Sequence, residues 1–315
     1  MKKRFLVAAV AATLVSPLAA NAAATVYGNA HVSIDSYDVP YAKGGNTDNL
    51  VMNSRTSAVG VKGKEDLGGG MTALYKIEFQ IDPTTTDSTI STRDQWVGLK
   101  GAMGTVKFGT MSSNYKQMGG KIDPMYRTAL EGRGMIGIQS SLHGGKGQDG
   151  GRSTKTVQYS SPKMSGVQAV LNTTFTGNDD ETTGLGIRYT GTKNVVAYFD
   201  YIDTQTQTTP VSSEAAIKVG GSYKMDGTTI GAQFESTEDA LGSDVVFLSV
   251  NHKLNDNDNI ALTLGDVDQL DDMGFAIMYN HKMSKRTNVY AGYGDNASND
   301  ADDNQVTTFG IRHKF

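Results

Sequence analysis

The side chains best able to do chemistry in this chain are charged, and they recur with period two rather than in catalytic sets. The chain has five histidines (31, 143, 252, 281 and 313) and no cysteine. None of the histidines has the spacing of a zinc site. Gly145-Lys-Gly-Gln-Asp-Gly150 fits G-x-G-x-x-G, but no strand leads into it and no helix follows, so it is not read as a dinucleotide loop. The Asp/Asn clusters Asn255–Asn259 and Asn299–Asp303 read as solvated turns. Charge remains. Lys62, Lys76, Arg93, Lys107 and Arg152 fall on the polar register of alternating segments. Asp123, Glu131 and Arg133 lie in the long stretch between the last two of these, together with Lys121 and Arg127. Bases facing acids across a narrow aqueous gap set up a transverse field, which orients dipolar solutes and biases ion choice. No cofactor and no metal is expected.

These charges are carried by amphipathic strands. Met71, Ala73, Tyr75, Ile77, Phe79 and Ile81 make one face of a segment; Thr72, Leu74, Lys76, Glu78 and Gln80 make the other. The same alternation returns along the chain, for example at Val195/Ala197/Phe199/Tyr201 and at Phe275/Ile277/Tyr279. Helical stripes are missing over any useful length. Seven connections are short and turn-like: 65–70, 101–104, 161–166, 191–193, 226–227, 254–258 and 283–286. Eight are mostly longer and polar: 38–51, 82–90, 112–152, 176–183, 203–214, 236–243, 266–273 and 294–304. Short and long alternate, so fifteen connections join sixteen strands, with fourteen and eighteen as the neighbouring even counts. The fold class expected is all-β: a sixteen-stranded antiparallel transmembrane barrel with its long third loop folded into the lumen. Closure requires the last strand, with Phe309, Ile311 and Phe315 outward, to pair with the first near Val26–Ile34.

Composition agrees. Lys2, Lys3 and Arg4 precede an apolar run and Ala20-Asn-Ala22, which reads as a secretory signal over 1–22, cleaved after Ala22, with the barrel domain over 23–315. Removing these three of the 29 basic residues leaves 26 against 33 acidic ones, a net charge near −7, which argues against a nucleic-acid partner. The chain is 38% hydrophobic with 37 glycines, low for a soluble domain of this length but natural where only alternate residues meet lipid.

Residues 112–152, glycine-rich and about forty long, can fold inward and narrow the lumen. Strand parity places Lys62 opposite Val59 and Val61, Lys76 and Glu78 opposite Tyr75 and Ile77, Arg93 and Gln95 opposite Trp96, and Lys107 between Val106 and Phe108. Arg152 shares the parity of Thr156 and Gln158. Arg55 has outward parity unless a bulge intervenes. Bases outnumber acids at this expected constriction, so a mild anion preference is expected.

Thr25-Val-Tyr-Gly28, Gly60-Val-Lys-Gly-Lys-Glu-Asp-Leu-Gly-Gly-Gly70, Arg93-Asp-Gln-Trp-Val-Gly-Leu99, Gly104-Thr-Val-Lys-Phe-Gly109, Thr156-Val-Gln-Tyr-Ser-Ser-Pro162 and the closing Phe-Gly-Ile-Arg-His-Lys-Phe315 together resemble the Gram-negative general porins, the trimeric sixteen-stranded family. The resemblance implies an outer-membrane diffusion channel for ions and small hydrophilic solutes, not an enzyme. A substrate-preferring channel or a structural or adhesive barrel is the alternative. It also implies homotrimers, contact with outer-membrane lipid and lipopolysaccharide, insertion by the barrel assembly machinery, and an assembly signal at Phe315. External acids could bridge to lipopolysaccharide phosphates through divalent ions. The family's wall arginines match Arg93 and Arg152, whereas Ala58 and Thr110 stand where two others are expected. Asp123 and Glu131 are the candidates for the family's third-loop acids.

Overall fold

The computed structural model describes residues 24–38, 49–86, 90–134, 136–140, 142, 152–177, 181–206, 212–237, 243–297 and 305–315. The expected signal segment, the 145–150 glycine motif and the 299–303 cluster lie outside them. The first hairpins are built from β1 (Thr25–Tyr37), β2 (Asn49–Ser54), β3 (Ala58–Gly68), β4 (Met71–Gln80), β5 (Ser91–Gly101) and β6 (Gly104–Met111). One helix, α1 (Asn114–Ile122), follows in the third loop. The wall continues through β7 (Ser153–Ser160), β8 (Val167–Thr174), β9 (Thr183–Tyr189), β10 (Val195–Thr206), β11 (Ser212–Met225) and β12 (Thr228–Thr237). It ends with β13 (Ser243–Lys253), β14 (Asp258–Val267), β15 (Gly274–Lys282), β16 (Thr287–Asp295) and β17 (Gln305–Lys314).

All pairings are antiparallel between neighbours, and β17 returns to β1 with Val32 opposite Ile311 and Ile34 opposite Phe309. The sheet is therefore a closed barrel. Its seventeen segments fill sixteen positions, because β2 and β3 pair successively along β1. Ser54 lies opposite Val32 and Ala58 opposite Asn29, so Arg55, Thr56 and Ser57 span two residues of β1. This is a one-residue bulge, and Thr56 takes it up with φ +58°.

The short connections fall where the sequence places them. Asp226 and Gly227 both have positive φ (43° and 83°), the two-residue turn whose twist suits a hairpin. Outward residues are apolar and bare: Val97 is 57% exposed and Phe309 55%. No helix among the described residues is long and apolar enough to cross a membrane, which says nothing against crossing by strands. The outward face has lipid as its solvent and the inward face is polar.

The buried apolar core lies inside the barrel. Met118, Ile122, Met125, Leu130, Ile136 and Ile138 of the third loop pack with Phe247, Ala276, Met278 and Tyr290 of the wall. Burying one aliphatic side chain is worth roughly 1.5–3 kcal/mol, so six give on the order of 10 kcal/mol toward ordering the loop.

Closure is sealed at the short-turn end, where Gly28 N donates to Phe315 O at 3.1 Å and Phe315 N to Gly28 O at 3.1 Å. A Cβ on Gly28 would stand 2.6 Å from Ala58 O and meet the Phe315 ring. Gly28→Val should therefore block closure, seen as loss of the compact band in an unboiled denaturing gel. A normal compact band would refute this.

Candidate functional site

Three one-residue bulges aim the charged side chains inward. The first, at Arg55–Ser57, turns Arg55 away from its outward parity. Its guanidinium pairs with Asp35, donates to Ser33 Oγ at 3.0 Å and reaches Tyr37 Oη at 2.7 Å. The second lies in β5. Ile77 faces Gln95 and Phe79 faces Thr92, so Arg93 and Asp94 together oppose Glu78. The third lies in β7, where Gly109 faces Thr156 and Met111 faces Ser153, and Lys155 adopts φ +51°. Arg152 immediately precedes that strand.

The β5 bulge corrects the expected parity. Trp96 lies opposite Lys76 and so faces the lumen, Gln95 sits opposite Ile77 on the outer register, and Val97 and Leu99 take the lipid face. Simple alternation misassigned these residues because the inserted residue reverses the face of everything beyond it.

On the wall the charges interlock. Arg93 Nε donates to Glu78 at 2.7 Å and its Nη1 to Gln80 Oε1 at 3.1 Å. Arg152 Nε meets Asp94 at 2.5 Å and its Nη2 approaches Glu78 at 3.7 Å. Lys76 bridges the two acids, 3.1 Å from Glu78 and 2.7 Å from Asp94. Tyr27 Oη donates to Glu78 at 2.7 Å. Three bases thus share two acids.

The loop faces this wall with more base than acid. Lys116, Arg127 and Arg133, with Glu131, line a gap whose far side is Thr56, Arg93 and Arg152. Arg55 and Gln80 line its continuation. Glu131 accepts from the backbone N–H of Arg127 at 2.8 Å and lies 3.5 Å from Arg133, holding both beside the Tyr126 ring. Asp123, expected to face the gap, is instead buried within the loop, accepting from Met125 N at 2.8 Å and Gly132 N at 3.0 Å. Lys62 and Lys107 lie away from the gap, over the rings of Tyr27 (4.9 Å) and Trp96 (4.6 Å). Arg55, Arg127 and Lys116 complete the gap. Arg127 has a backbone φ of +72°, a loop conformation that strand parity could not foretell.

Two loop groups titrate near neutrality. Burial, reinforced by Arg133, lowers the Lys116 ammonium to a pKa of about 7. Burial and the nearby Glu131 raise the Asp123 carboxyl to about 7.

The loop is pinned to the opposite wall through β8–β13. Asn114 N donates to Asn172 Oδ1 at 3.0 Å and its Nδ2 to Asp200 at 2.9 Å. Glu235 is the hub. It accepts from Tyr115 Oη (3.0 Å), Ser140 N (3.1 Å), Ser140 Oγ and Gln233 Nε2 (2.6 Å), and it pairs with the buried Lys218 at 3.3 Å. Ser113 caps α1, accepting from Lys116 N at 3.2 Å.

A closed barrel with a lipid-compatible outside, a polar inside and a loop pinned across its interior is a transmembrane β-barrel with a narrowed aqueous lumen. A family model described as Gram-negative porin matches residues 7–302, and the chain belongs to that family and to the outer membrane. An outer membrane porin protein of Bordetella pertussis is 25% identical over the whole of both chains. A major outer membrane protein P.IB of Neisseria lactamica is 30% identical over 125 residues, 38% of this chain and 36% of that protein. That of Neisseria gonorrhoeae is 26% identical over 194 residues, 59% of this chain and 53% of that protein. The chain thus spans about a third to a half of these Neisseria relatives. Among solved structures, an anion-selective porin from Comamonas acidovorans superposes with a TM-score of 0.79 at 18% identity, covering 93% of this chain and 100% of that one.

Glu235→Leu should free the loop. It strands Lys218, and breaking a buried pair costs about 3–5 kcal/mol. The expected result is a larger, noisier single-channel current and new protease cleavage within 112–152. A quiet current of unchanged size would show that the apolar contacts alone hold the loop.

Proposed function

We propose that this chain forms a passive diffusion channel in the outer membrane, assembled as a trimer, that favours small anions. The observation that carries this reading is the excess of base on both sides of the gap. On the wall, Lys76, Arg93 and Arg152 share Glu78 and Asp94, and on the loop Lys116, Arg127 and Arg133 share Glu131. Arg93 and Arg152, rather than Glu78 or Asp94, line the gap, so an ion in it meets guanidinium on the wall side. A net positive lining raises the local anion concentration and repels cations. The structural likeness to a porin described as anion-selective is consistent with this preference.

Arg55, Arg93, Arg127, Arg133 and Arg152, with Lys116, form the selective lining. Lys62, Lys76 and Lys107 add positive potential from the short-turn side, and Asp123 holds the loop's shape. Phe315 serves as the signal for the barrel assembly machinery. A charge filter at a water-filled constriction accounts for these residues without any reacting group. Lipid and lipopolysaccharide contact the outer face and external loops.

The test is the zero-current potential across a potassium chloride gradient in a planar bilayer. Anion preference is expected, and it should fall severalfold in Arg93→Ala/Arg152→Ala. Cation preference in the unmutated protein would refute the local-charge reading.

A pH dependence follows from the two loop groups. Below pH 7 Lys116 carries charge and Asp123 is neutral; above pH 7 the reverse holds. Both changes add positive charge as pH falls, so the chloride-to-potassium permeability ratio should rise between pH 8 and pH 6. Lys116→Met should remove much of that rise. A ratio that falls over this range would contradict the assignment.

A further inference from the structure

A second polar site lies in the lumen on the short-turn side of the third loop. Its wall is a row of four asparagines, one from each of β13 to β16. Asn288 Nδ2 donates to Asn280 Oδ1 at 2.6 Å, Asn280 to Asn259 at 3.0 Å, and Asn259 to Asn251 at 2.9 Å. The row ends beside Arg312, which is opposite Asn288 in the β16–β17 register. Lys282, Lys285, Arg286 and Lys314 line the same cavity. Tyr126 and Tyr290 also border it, and Pro124 and Thr128 of the loop close its top. No carboxylate is among the described residues that line it. Arg312 Nε is buried without a hydrogen-bond partner.

The chemistry of the row is specific. A carboxamide has two N–H donors and a carbonyl that accepts twice. Asn259 and Asn280 each spend one donor and one acceptor site on the row, so each keeps one of both. Strands stand about 4.8 Å apart, so these paired donors and acceptors repeat along a line. A sugar hydroxyl donates and accepts at once and can use both halves. Chloride or acetate can use only the donors. At the end of the row the free Arg312 N–H and the neighbouring lysines take an anionic group through charge-assisted bonds.

The geometry points to a binding site for a hydroxylated organic anion, of the sugar-acid class, along the asparagine row with its acidic group at Arg312. This rests on the channel reading, because the site is reached through the lumen.

The probe is D-gluconate added on the short-turn side of single channels carrying chloride current, with acetate and D-glucose as controls for charge alone and hydroxyls alone. Gluconate should block in a saturating manner, with a half-blocking concentration at least tenfold below that of either control. Asn259→Ala/Asn280→Ala should raise it about tenfold, and Arg312→Gln should bring gluconate to the level of glucose. Compact bands in unboiled gels establish that each variant is folded. If gluconate blocks within threefold of acetate, the cavity is only a charged vestibule and the inference is wrong. It is equally wrong if either folded variant blocks like the unmutated protein. A folded protein that passes no chloride would sink the channel reading itself, a separate failure.

Discussion

A backbone amide left without a partner in hydrocarbon costs several kcal/mol, and no water is there to take its place. Everything else in this chain depends on meeting that demand, and the pairing of β1 with β17 is where it is met. With the ring closed, no edge is left in lipid. Alternate residues must then be apolar outward, and the inward set is free to be polar. The low hydrophobic content and the water-filled interior are two consequences of the same closure. The reciprocal bonds between Gly28 and Phe315 fasten its last rung.

A regular ladder would place charges by parity alone, turning Arg55 outward and setting the neighbours Arg93 and Asp94 on opposite faces. The bulges change that. Each inserts one residue, reverses the facing of what lies beyond, and does so beside the third loop. Arg55 comes inward to Asp35, and Arg93 and Asp94 come inward together on Glu78. The cost of gathering so many cations is offset by acids placed between them. Glu78 and Asp94 each touch more than one base, and their desolvation is offset by several charge-assisted bonds at once.

The apolar core is likewise displaced. In a soluble domain it would lie between layers, whereas here it lies between the loop and the inner wall, and the barrel's outer surface uses lipid as its apolar phase. That core, with the Glu235 hub, makes the third loop a fixed partition. The gap on one side of it and the asparagine-lined cavity on its short-turn side are two aqueous compartments shaped by one packed element. Tyr126 borders both.

The period-two alternation, the rhythm of short and long connections and the aromatic terminal residue were enough to derive the barrel, its sixteen positions and the meeting of first and last strands. Those are local properties: a strand's side chains alternate whatever surrounds it. The facing of Arg55, Asp94 and Trp96, the burial of Asp123 and the joining of Arg127 and Lys116 to the gap were decided only by the tertiary structure. A one-residue bulge leaves no composition signature, yet it flips every side chain after it. A forty-residue loop takes its conformation from long-range contacts such as Tyr115 with Glu235, 120 residues apart. Alternation tells which residues can face water; the register between strands and the packing of the loop decide which of them meet.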